Sequence, residues 1–249
     1  MSKFRSAVVH LPDFESLNGE RLLAALERKS DRPKLPTSIE ALDRLHGGGL
    51  PRGSLVELSG PRSSGRYSIA LSALAAATAA GEAAAVIDLG DHFDPQQAAQ
   101  AGAQLERMLW LRPRKIKEAF ACAELVANTG FSLSVLDLPE PVRPAPSAGV
   151  WVRLRRACEL QGVTILLLSA EPLAGHAADS LLRVSARGRW RPQPTTDFPM
   201  SAGGARLSRG PRAHAPDLLD GMSISLSLRR RFGAAPGSAS LSLPVDGSV

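Results

Sequence analysis

Aromatic residues, cysteines and lysines are all scarce in this sequence. Aromatic side chains make up 4% of the 249 residues, so a core has to be built from Leu, Val, Ile and closely packed Ala. The two cysteines, Cys122 and Cys158, have apolar neighbours, which predicts buried free thiols rather than a disulfide framework. No lysine follows Lys117, so arginine alone carries the positive charge of the second half.

Long apolar runs are also missing. The most apolar stretch, residues 69–89, is interrupted by Glu82 and Asp88 among others, which predicts a helix, a turn and a strand rather than a membrane span. The first residues lack the apolar segment of a secretory signal, so we expect a cytoplasmic protein without membrane contact. The scattered histidines predict no metal site, and no nucleophile motif such as G-x-S-x-G is present.

Strand patterns and helix patterns alternate through most of the chain. This alternation predicts an α/β fold with a mainly parallel sheet and helices on both faces. The apolar runs predict strands at 55–58, 84–89, 108–111, 133–138 and 163–168. The segments between or before them predict helices at 39–45, 68–80, 96–101, 116–127 and 150–160.

Three segments are expected from composition: an N-terminal helix and linker at 1–35, the α/β domain at 36–231, and a disordered tail at 232–249 that is rich in Gly, Ala, Ser and Pro. In the leader, the stretch Leu17–Arg28 predicts an amphipathic helix that packs on its own domain or on a partner. Its apolar face consists of Leu22, Leu23 and Leu26. The strict alternation in Ser223–Leu228 predicts a half-exposed strand at a sheet edge.

The segment 54–68 has the layout of a phosphate-binding P-loop, in which a buried strand, a Gly-rich turn and a helix follow one another. Gly60 and Gly65 hold both glycine positions of the motif G-x-x-x-x-G-K-[ST]. Arg66 stands where the motif has the Lys that reaches the outer phosphates, and Tyr67 replaces the hydroxyl that binds Mg²⁺. The sequence therefore keeps the backbone cradle of a nucleotide site and changes both of its reactive side chains.

Asp137 ends a later apolar strand and is the candidate for the acid that supports Mg²⁺ in a P-loop protein. A buried acid needs a partner, and Arg66 is the candidate for an internal ion pair that closes the pocket. Ser68 lies one residue too late for the metal hydroxyl, because a helix turns about 100° per residue. The candidate nucleotide site consists of Gly60, Ser64, Gly65, Arg66, Tyr67, Ser68 and Asp137.

Two interpretations of this loop stay open at this point. It is either a weak site for ATP or another anion, or a turn that only joins a strand to a helix. Hydrolysis needs a positioned metal, a nucleophile and charge stabilisation together. Since several of these parts are missing, we expect no ATP hydrolysis, no catalytic residue and no required cofactor.

Four segments resemble parts of the RecA recombinase ATPase core, in the same order and with similar spacing, over about two-fifths of the chain. They are the helix and glycine turn Pro36–Gly53, the P-loop Gly60–Tyr67, the strand and Asp-Pro helix start Val86–Pro95, and the Walker B strand Leu133–Asp137. The resemblance implies a RecA-like P-loop NTPase fold.

The departures from that family are informative. Gly90, followed by Asp91, stands where the recombinases have the Glu that activates water, and Ser169-Ala170 follows the strand that ends in their phosphate-sensing Gln. The segments that carry their DNA-binding loops are short here. This combination resembles the ImuA proteins, RecA-like accessory factors of translesion DNA synthesis.

The ImuA resemblance implies a non-enzymatic adaptor in SOS mutagenesis, the damage-induced response. Its implied partners are an ImuB-like Y-family polymerase homologue, an error-prone replicative-type polymerase complex and RecA. Two alternatives remain: a DNA-dependent ATPase acting as a recombination mediator, and a SulA-like inhibitor of cell division. The recombinase resemblance also implies that Leu17–Arg28 is the partner helix.

The second half of the chain is strongly basic. Residues 143–231 contain fourteen arginines against six acids, a net charge of +8. This charge predicts either weak, sequence-independent DNA binding through phosphates or a solvated basic face that meets an acidic protein surface. The candidate DNA- or partner-binding residues are Arg153, Arg155, Arg156, Arg183, Arg187, Arg189, Arg191, Arg229, Arg230 and Arg231.

Overall fold

The computed structural model describes residues 32–191, 218–231 and 236–244, and the structural statements below concern these ranges. The predicted leader helix Leu17–Arg28, with Leu22, Leu23 and Leu26, lies outside the described residues. In the ranges described, no helix has the length and apolar character needed to cross a bilayer.

In the described ranges, ten strands form two sheets. In chain order they are β1 (Lys34–Leu35), β2 (Leu50–Pro51), β3 (Leu55–Ser59), β4 (Ala84–Asp88), β5 (Met108–Leu111), β6 (Leu133–Asp137), β7 (Thr164–Ser169), β8 (Ser180–Arg191), β9 (Leu218–Arg231) and β10 (Gly237–Pro244). The large sheet has the order β10-β9-β8-β3-β7-β6-β4-β5. Its strands from β8 to β5 pair in parallel, whereas β9 and β10 add an antiparallel extension.

Helices cover both faces of the parallel part. They are α1 (Glu40–His46), α2 (Arg66–Ala79), α3 (Pro95–Gln100), α4 (Ile116–Ala127) and α5 (Ala148–Gln161). One core cluster packs α1, α2 and α3 on the first face, and a second packs α4 and α5 on the other. The predicted α/β fold with a mainly parallel sheet is confirmed, and each strand and helix predicted between residues 39 and 169 is present with ends within two residues.

The small residues of α2 explain how this core closes with few aromatics. Ala70, Ala73 and Ala77 are at most 1% exposed, so the helix approaches the sheet closely. Both cysteines are free, as predicted; Cys158 is buried, whereas Cys122 is only half-buried. Burial raises the pKa of the Cys158 thiol to about 12, which suits an inert core residue.

Three predictions about the ends of the chain are wrong. Leu35, assigned to a linker, is buried in β1 and pairs with Leu50. The strand Ser223–Leu228 is half-exposed as predicted but is not at the edge, because β10 pairs along its outer side. The tail 232–249, predicted to be disordered, contains the strand Gly237–Pro244. Its low apolar content is misleading, since Leu241 packs against a core that other strands supply and β9 provides the ladder partners.

The topology collects the chemistry-bearing residues at one edge of the sheet. In parallel α/β sheets, ligand sites form beyond the carboxyl ends of the strands. Asp88 ends β4, Asp137 ends β6 beside it, and Ser169 ends β7. The loop between β3 and α2 lies at the same edge, which makes this the place to look for a site.

Candidate functional site

A cavity of about 300 Å³ opens at the start of α2. Six of the seven predicted nucleotide-site residues line it: Ser64, Gly65, Arg66, Tyr67, Ser68 and Asp137. Arg62, Ser63, His92 and Met222 form the rest of the wall. Its volume is at the lower limit of ligand pockets, so the predicted residues do come together, but around little space.

The guanidinium of Arg66 is bonded within the protein. The side chain is 8% exposed, Nη1 donates to the carbonyl oxygen of Gly60, and Nη2 donates to the carboxylate of Glu140. Glu140 lies three residues after the end of β6, which places its carboxylate over the start of α2. The predicted Arg66–Asp137 ion pair is therefore wrong: the partner is Glu140, because the arginine reaches past the strand end to the following segment.

Asp137 is held by a histidine. His92 Nδ1 lies 2.7 Å from Asp137 Oδ2, and His92 Nε2 lies 2.8 Å from Arg62 Nη2. A guanidinium only donates, so in this arrangement Nε2 accepts from Arg62 and Nδ1–H donates to Asp137. Burial raises the pKa of Asp137, while the hydrogen bond from His92 opposes that rise. The acid expected to support a metal is thus occupied by an internal donor.

Asp88 positions that histidine. Its Oδ1 accepts from the backbone N–H of His92 at 2.9 Å, and its Oδ2 accepts from the N–H of Phe93 at 3.1 Å. The indole N–H of Trp110 donates to the same Oδ2 at 3.3 Å. These bonds fix the turn after β4, and His92 is thereby brought next to Asp137.

The backbone of Gly90 lies against this pair. A Cβ at residue 90 would be 2.5 Å from His92 Nδ1 and 2.6 Å from Asp137 Oδ2. Real Cβ atoms do not come so close to other atoms, so even alanine requires a shift. The position where the resemblance implies a catalytic Glu is therefore filled by the His92–Asp137 contact.

Strands β8 and β9 pack directly on the P-loop. A Cβ on Gly65 would overlap the Cδ1 of Ile224 in β9, and a Cβ on Gly60 would overlap the backbone oxygen of Val184 in β8. Gly65 also has a φ of +90°, a conformation that favours glycine. Both motif glycines are thus required by protein packing, whether or not a phosphate ever binds there.

The remaining predicted residues of the loop differ in exposure. Ser64 is buried and its hydroxyl has no hydrogen-bond partner within the described ranges; the same holds for the hydroxyl of Tyr67. Burial, followed by the charge of Asp137, raises the pKa of Tyr67, so the phenol stays protonated. Ser68 is exposed at the mouth of the cavity.

The end of β7, where the recombinase resemblance implies a phosphate-sensing amide, is also bonded within the protein. Ser169 donates through its hydroxyl to Glu57 Oε1 at 3.0 Å. The carboxylate of Glu57 is fully buried and accepts from the backbone N–H groups of Leu173 at 2.6 Å and Ala174 at 3.2 Å. This network fixes the turn after β7 and leaves Ser169 committed to it.

Four of the predicted basic residues are paired with acids. The pairs are Arg153–Glu124, Arg155 with Glu159 and Asp179, Arg183–Glu171, and Arg191–Asp220, at 2.9 to 3.3 Å. Most of these pairs are solvent-exposed, and such pairs stabilise a fold little. They still reduce the local positive charge that the sequence count implies.

The other basic residues fall into two groups. Arg156, Arg187, Arg189 and Arg229 are exposed, and none has an acidic partner in the described part of the chain. Arg230 and Arg231 end β9, and their side chains lie outside the described residues. The ten predicted arginines are therefore divided between two parts of the fold, with three on α5 and seven on β8 and β9.

Sequence reasoning missed four residues that shape this site. Glu57 carries the same signal as Asp88, an acid inside an apolar strand run, and could have been found. His92, Glu140 and Ile224 carry no comparable signal, because their roles depend on how distant segments cross the P-loop.

The family model described as the RecA N-terminal domain matches residues 15–140 of this chain. Among similar proteins, RecA of Nocardia farcinica is 41% identical over 97 residues, which are 39% of this chain and 28% of that protein. RecA of Mycobacterium avium is 38% identical over 115 residues, 46% of this chain and 33% of that protein. The chain thus spans about a third of the length of these relatives.

A solved structure shares the fold. The RadB recombinase superposes with a TM-score of 0.57 at 17% identity, covering 83% of this chain and 94% of that one. At this identity the likeness concerns the fold alone, and it extends well beyond the segment that matches by sequence.

Proposed function

Because the chain belongs to the RecA N-terminal domain family, we propose that it is a RecA-like adaptor that does not hydrolyse ATP and that acts in DNA-damage-induced translesion synthesis. Its partners are an ImuB-like Y-family polymerase homologue, the error-prone replicative-type polymerase complex, and RecA. These partners come from the resemblance to ImuA proteins. The absence of hydrolysis is argued from the site.

The observation that carries the proposal is the internal bonding of the P-loop arginine. Arg66 gives its two Nη groups to the Gly60 carbonyl and the Glu140 carboxylate, where a nucleotide site needs a free cation for the outer phosphates. Asp137 is bonded to His92, and Gly90 has no room for a carboxylate side chain. The groups that would bind phosphate, support a metal and activate water are therefore engaged in internal contacts or replaced, and this supports the proposed absence of hydrolysis.

Phosphate release with Mg-ATP, measured with and without single-stranded DNA, tests the first half of the proposal. We expect no release above the background of a mock purification. Asp137→Asn keeps the shape of the site and is the matched variant. A rate that DNA stimulates and that Asp137→Asn abolishes would contradict the proposal and favour the ATPase alternative.

Co-purification tests the second half. The change Leu22→Ser, Leu23→Ser and Leu26→Ser removes the predicted apolar face of the leader helix. We expect it to abolish capture of the co-expressed Y-family polymerase homologue and to leave the melting temperature of the core unchanged.

The matched control replaces three exposed apolar residues on α4 and α5: Leu125, Val152 and Leu160 are 62%, 59% and 71% exposed. Serine at all three positions should keep the partner bound. If the leader variant still captured the polymerase homologue, or if the control lost capture equally, the leader helix would no longer be part of the proposal. Capture of the septal tubulin-like protein instead would support the division-inhibitor alternative.

A further inference from the structure

We propose that the outer face of β8, β9 and β10 binds the phosphodiester backbone of single-stranded nucleic acid. This surface, called the Ser/Arg face, consists of Arg183, Ser185, Arg187 and Arg189 in β8, Ser223, Ser225, Ser227 and Arg229 in β9, and Ser238, Ser240 and Ser242 in β10. It lies on the opposite side of β9 from the P-loop, so its test does not depend on the proposed function.

Strand alternation places these side chains on one face. Successive side chains of a strand point to opposite faces of the sheet. In β8 and β9, Val184, Ile224 and Leu226 are buried in the core cluster beneath α2. Their neighbours Ser185, Ser223, Ser225 and Ser227 therefore point the other way, and the register aligns them, with Ser225 opposite both Ser185 and Ser240. Arg229 follows the buried Leu228 at a register shift, where it has no opposite residue in β8.

This face is open. Ser185, Ser225 and Ser240 are exposed in the middle of the three strands. The helices α4 and α5 cover the same side of the sheet, but their core cluster ends at β3 and the turn 174–178. Within the described residues, the face is therefore a polar surface beside α5, formed by hydroxyl and guanidinium side chains.

Its chemistry is that of a hydrogen-bond donor surface. Hydroxyls repeat about 6.8 Å along each strand and about 4.8 Å across strands. Arg187, Arg189 and Arg229 are exposed and, in the described ranges, have no acidic partner; Arg183 is tied to Glu171 at the margin. Serine hydroxyls and guanidinium groups are common donors to phosphate oxygens. A chain with a charged phosphate at every unit fits this regular array.

The position of the exposed Trp190 indicates backbone contact rather than base stacking. A Cβ on Gly188 would lie 3.0 Å from Trp190 Nε1. Because Gly188 lies between Arg187 and Arg189 in β8, its Cβ would point away from the Ser/Arg face, and Trp190 is on that other side. Since none of the residues that define the face is aromatic, binding should be sequence-independent and sensitive to salt.

Fluorescence anisotropy with fluorescein-labelled oligo(dT) tests this on the full chain. The first variant combines Arg187→Gln, Arg189→Gln and Arg229→Gln. We expect at least about a tenfold loss of affinity at low salt, and a slope of log affinity against log salt that falls in magnitude by about 2 between about 50 and about 200 mM salt.

The matched control makes the same charge change elsewhere, with Arg44→Gln, Arg114→Gln and Lys117→Gln, all exposed. It should bind within about twofold of the parent chain. A third variant, Ser225→Glu with Ser240→Glu, places two acids at the centre of the face and should abolish binding. Circular dichroism confirms that each variant is folded.

Three results would overturn the proposal. One is equal loss of affinity in the first variant and the control, which would mean that net charge alone is measured. Another is unchanged binding in both face variants. The last is displacement of oligo(dT) by polyglutamate at equal charge concentration, which would assign the face to an acidic protein surface.

Discussion

The two sides of β9 use the same residue type in opposite ways. On the inner side, Arg66 is buried and gives its donors to Gly60 and Glu140, and Ile224 packs on the loop where a nucleotide phosphate would bind. On the outer side, Arg187, Arg189 and Arg229 are exposed without an acidic partner in the described residues. The contrast teaches that an arginine in a binding motif need not bind anything external, whereas arginines outside any motif remain available.

The contact between the P-loop and β9 is where the largest effect is expected. Gly65→Ala puts a methyl group into Ile224 at a residue with positive φ, and we expect a loss of about 3 kcal/mol in the free energy of unfolding from overpacking and backbone strain. Ile224→Ala alone should cost a similar amount, about 3 kcal/mol, by leaving a cavity. Urea denaturation measures both.

The double variant distinguishes packing from a phosphate cradle. If the methyl and the Ile224 side chain compete for one space, the two losses should fall short of additivity by about 1 kcal/mol or more. Strict additivity would mean that Gly65 is required only for its φ. A Gly65→Ala protein of unchanged stability would contradict the packing argument altogether.

The Arg66–Glu140 contact gives the next effect in size. Glu140→Gln removes the charge that faces a guanidinium that is 8% exposed, and we expect a loss of about 2 kcal/mol. The matched control is Glu171→Gln, whose partner Arg183 is 52% exposed, and it should change stability by less than about 0.5 kcal/mol. Equal effects of the two changes would remove the distinction between a buried and an exposed arginine.

Local patterns explain why the centre of this fold is predictable from sequence. The apolar run before Gly60, the spacing to Gly65 and the Ala-rich helix predict β3, the loop and α2, because each depends on neighbouring residues. The predicted partner of Arg66 was wrong because Glu140 and Asp137 both lie near the end of β6. Only the path of the backbone after β6 decides which of them the arginine reaches. Strand β10 was missed because its stability depends on a ladder with β9 rather than on its own composition.

On the P-loop side of β9, the protonation of Asp137 should also make stability depend on pH. Burial raises the pKa of this carboxyl in the folded state, so its contribution to stability is complete below the unfolded pKa of about 3.8 and is lost as pH rises through the folded pKa. Asp137→Asn keeps an acceptor for His92 without the charge. We expect the variant to be the more stable protein at pH 8, and the difference to shrink as pH falls towards about 4.

Thermal melts of both proteins across this pH range check the sign. A wild-type chain that gains stability relative to the variant as pH rises would show that the His92 contact outweighs burial. His92→Gln is a useful companion, because it leaves Asp137 buried with a weaker donor and should enlarge the advantage of Asn at residue 137.

The smallest expected effect concerns Arg52, whose exposure is intermediate between that of the buried Arg66 and that of the exposed arginines on the outer side of β9. Arg52 donates to both oxygens of Glu82, at 2.8 and 2.5 Å, and each side chain is about a quarter exposed. The hydrogen bonds from Arg52 lower the pKa of Glu82, so this pair stabilises the fold above the unfolded pKa of about 4.5 and loses that contribution as pH falls through the folded pKa. Glu82→Gln should therefore cost about 0.5 kcal/mol at neutral pH and nothing near pH 2. A cost at neutral pH as large as that of Glu140→Gln would mean that exposure does not rank the arginines of this protein, and the contrast between the two sides of β9 would have to rest on geometry alone.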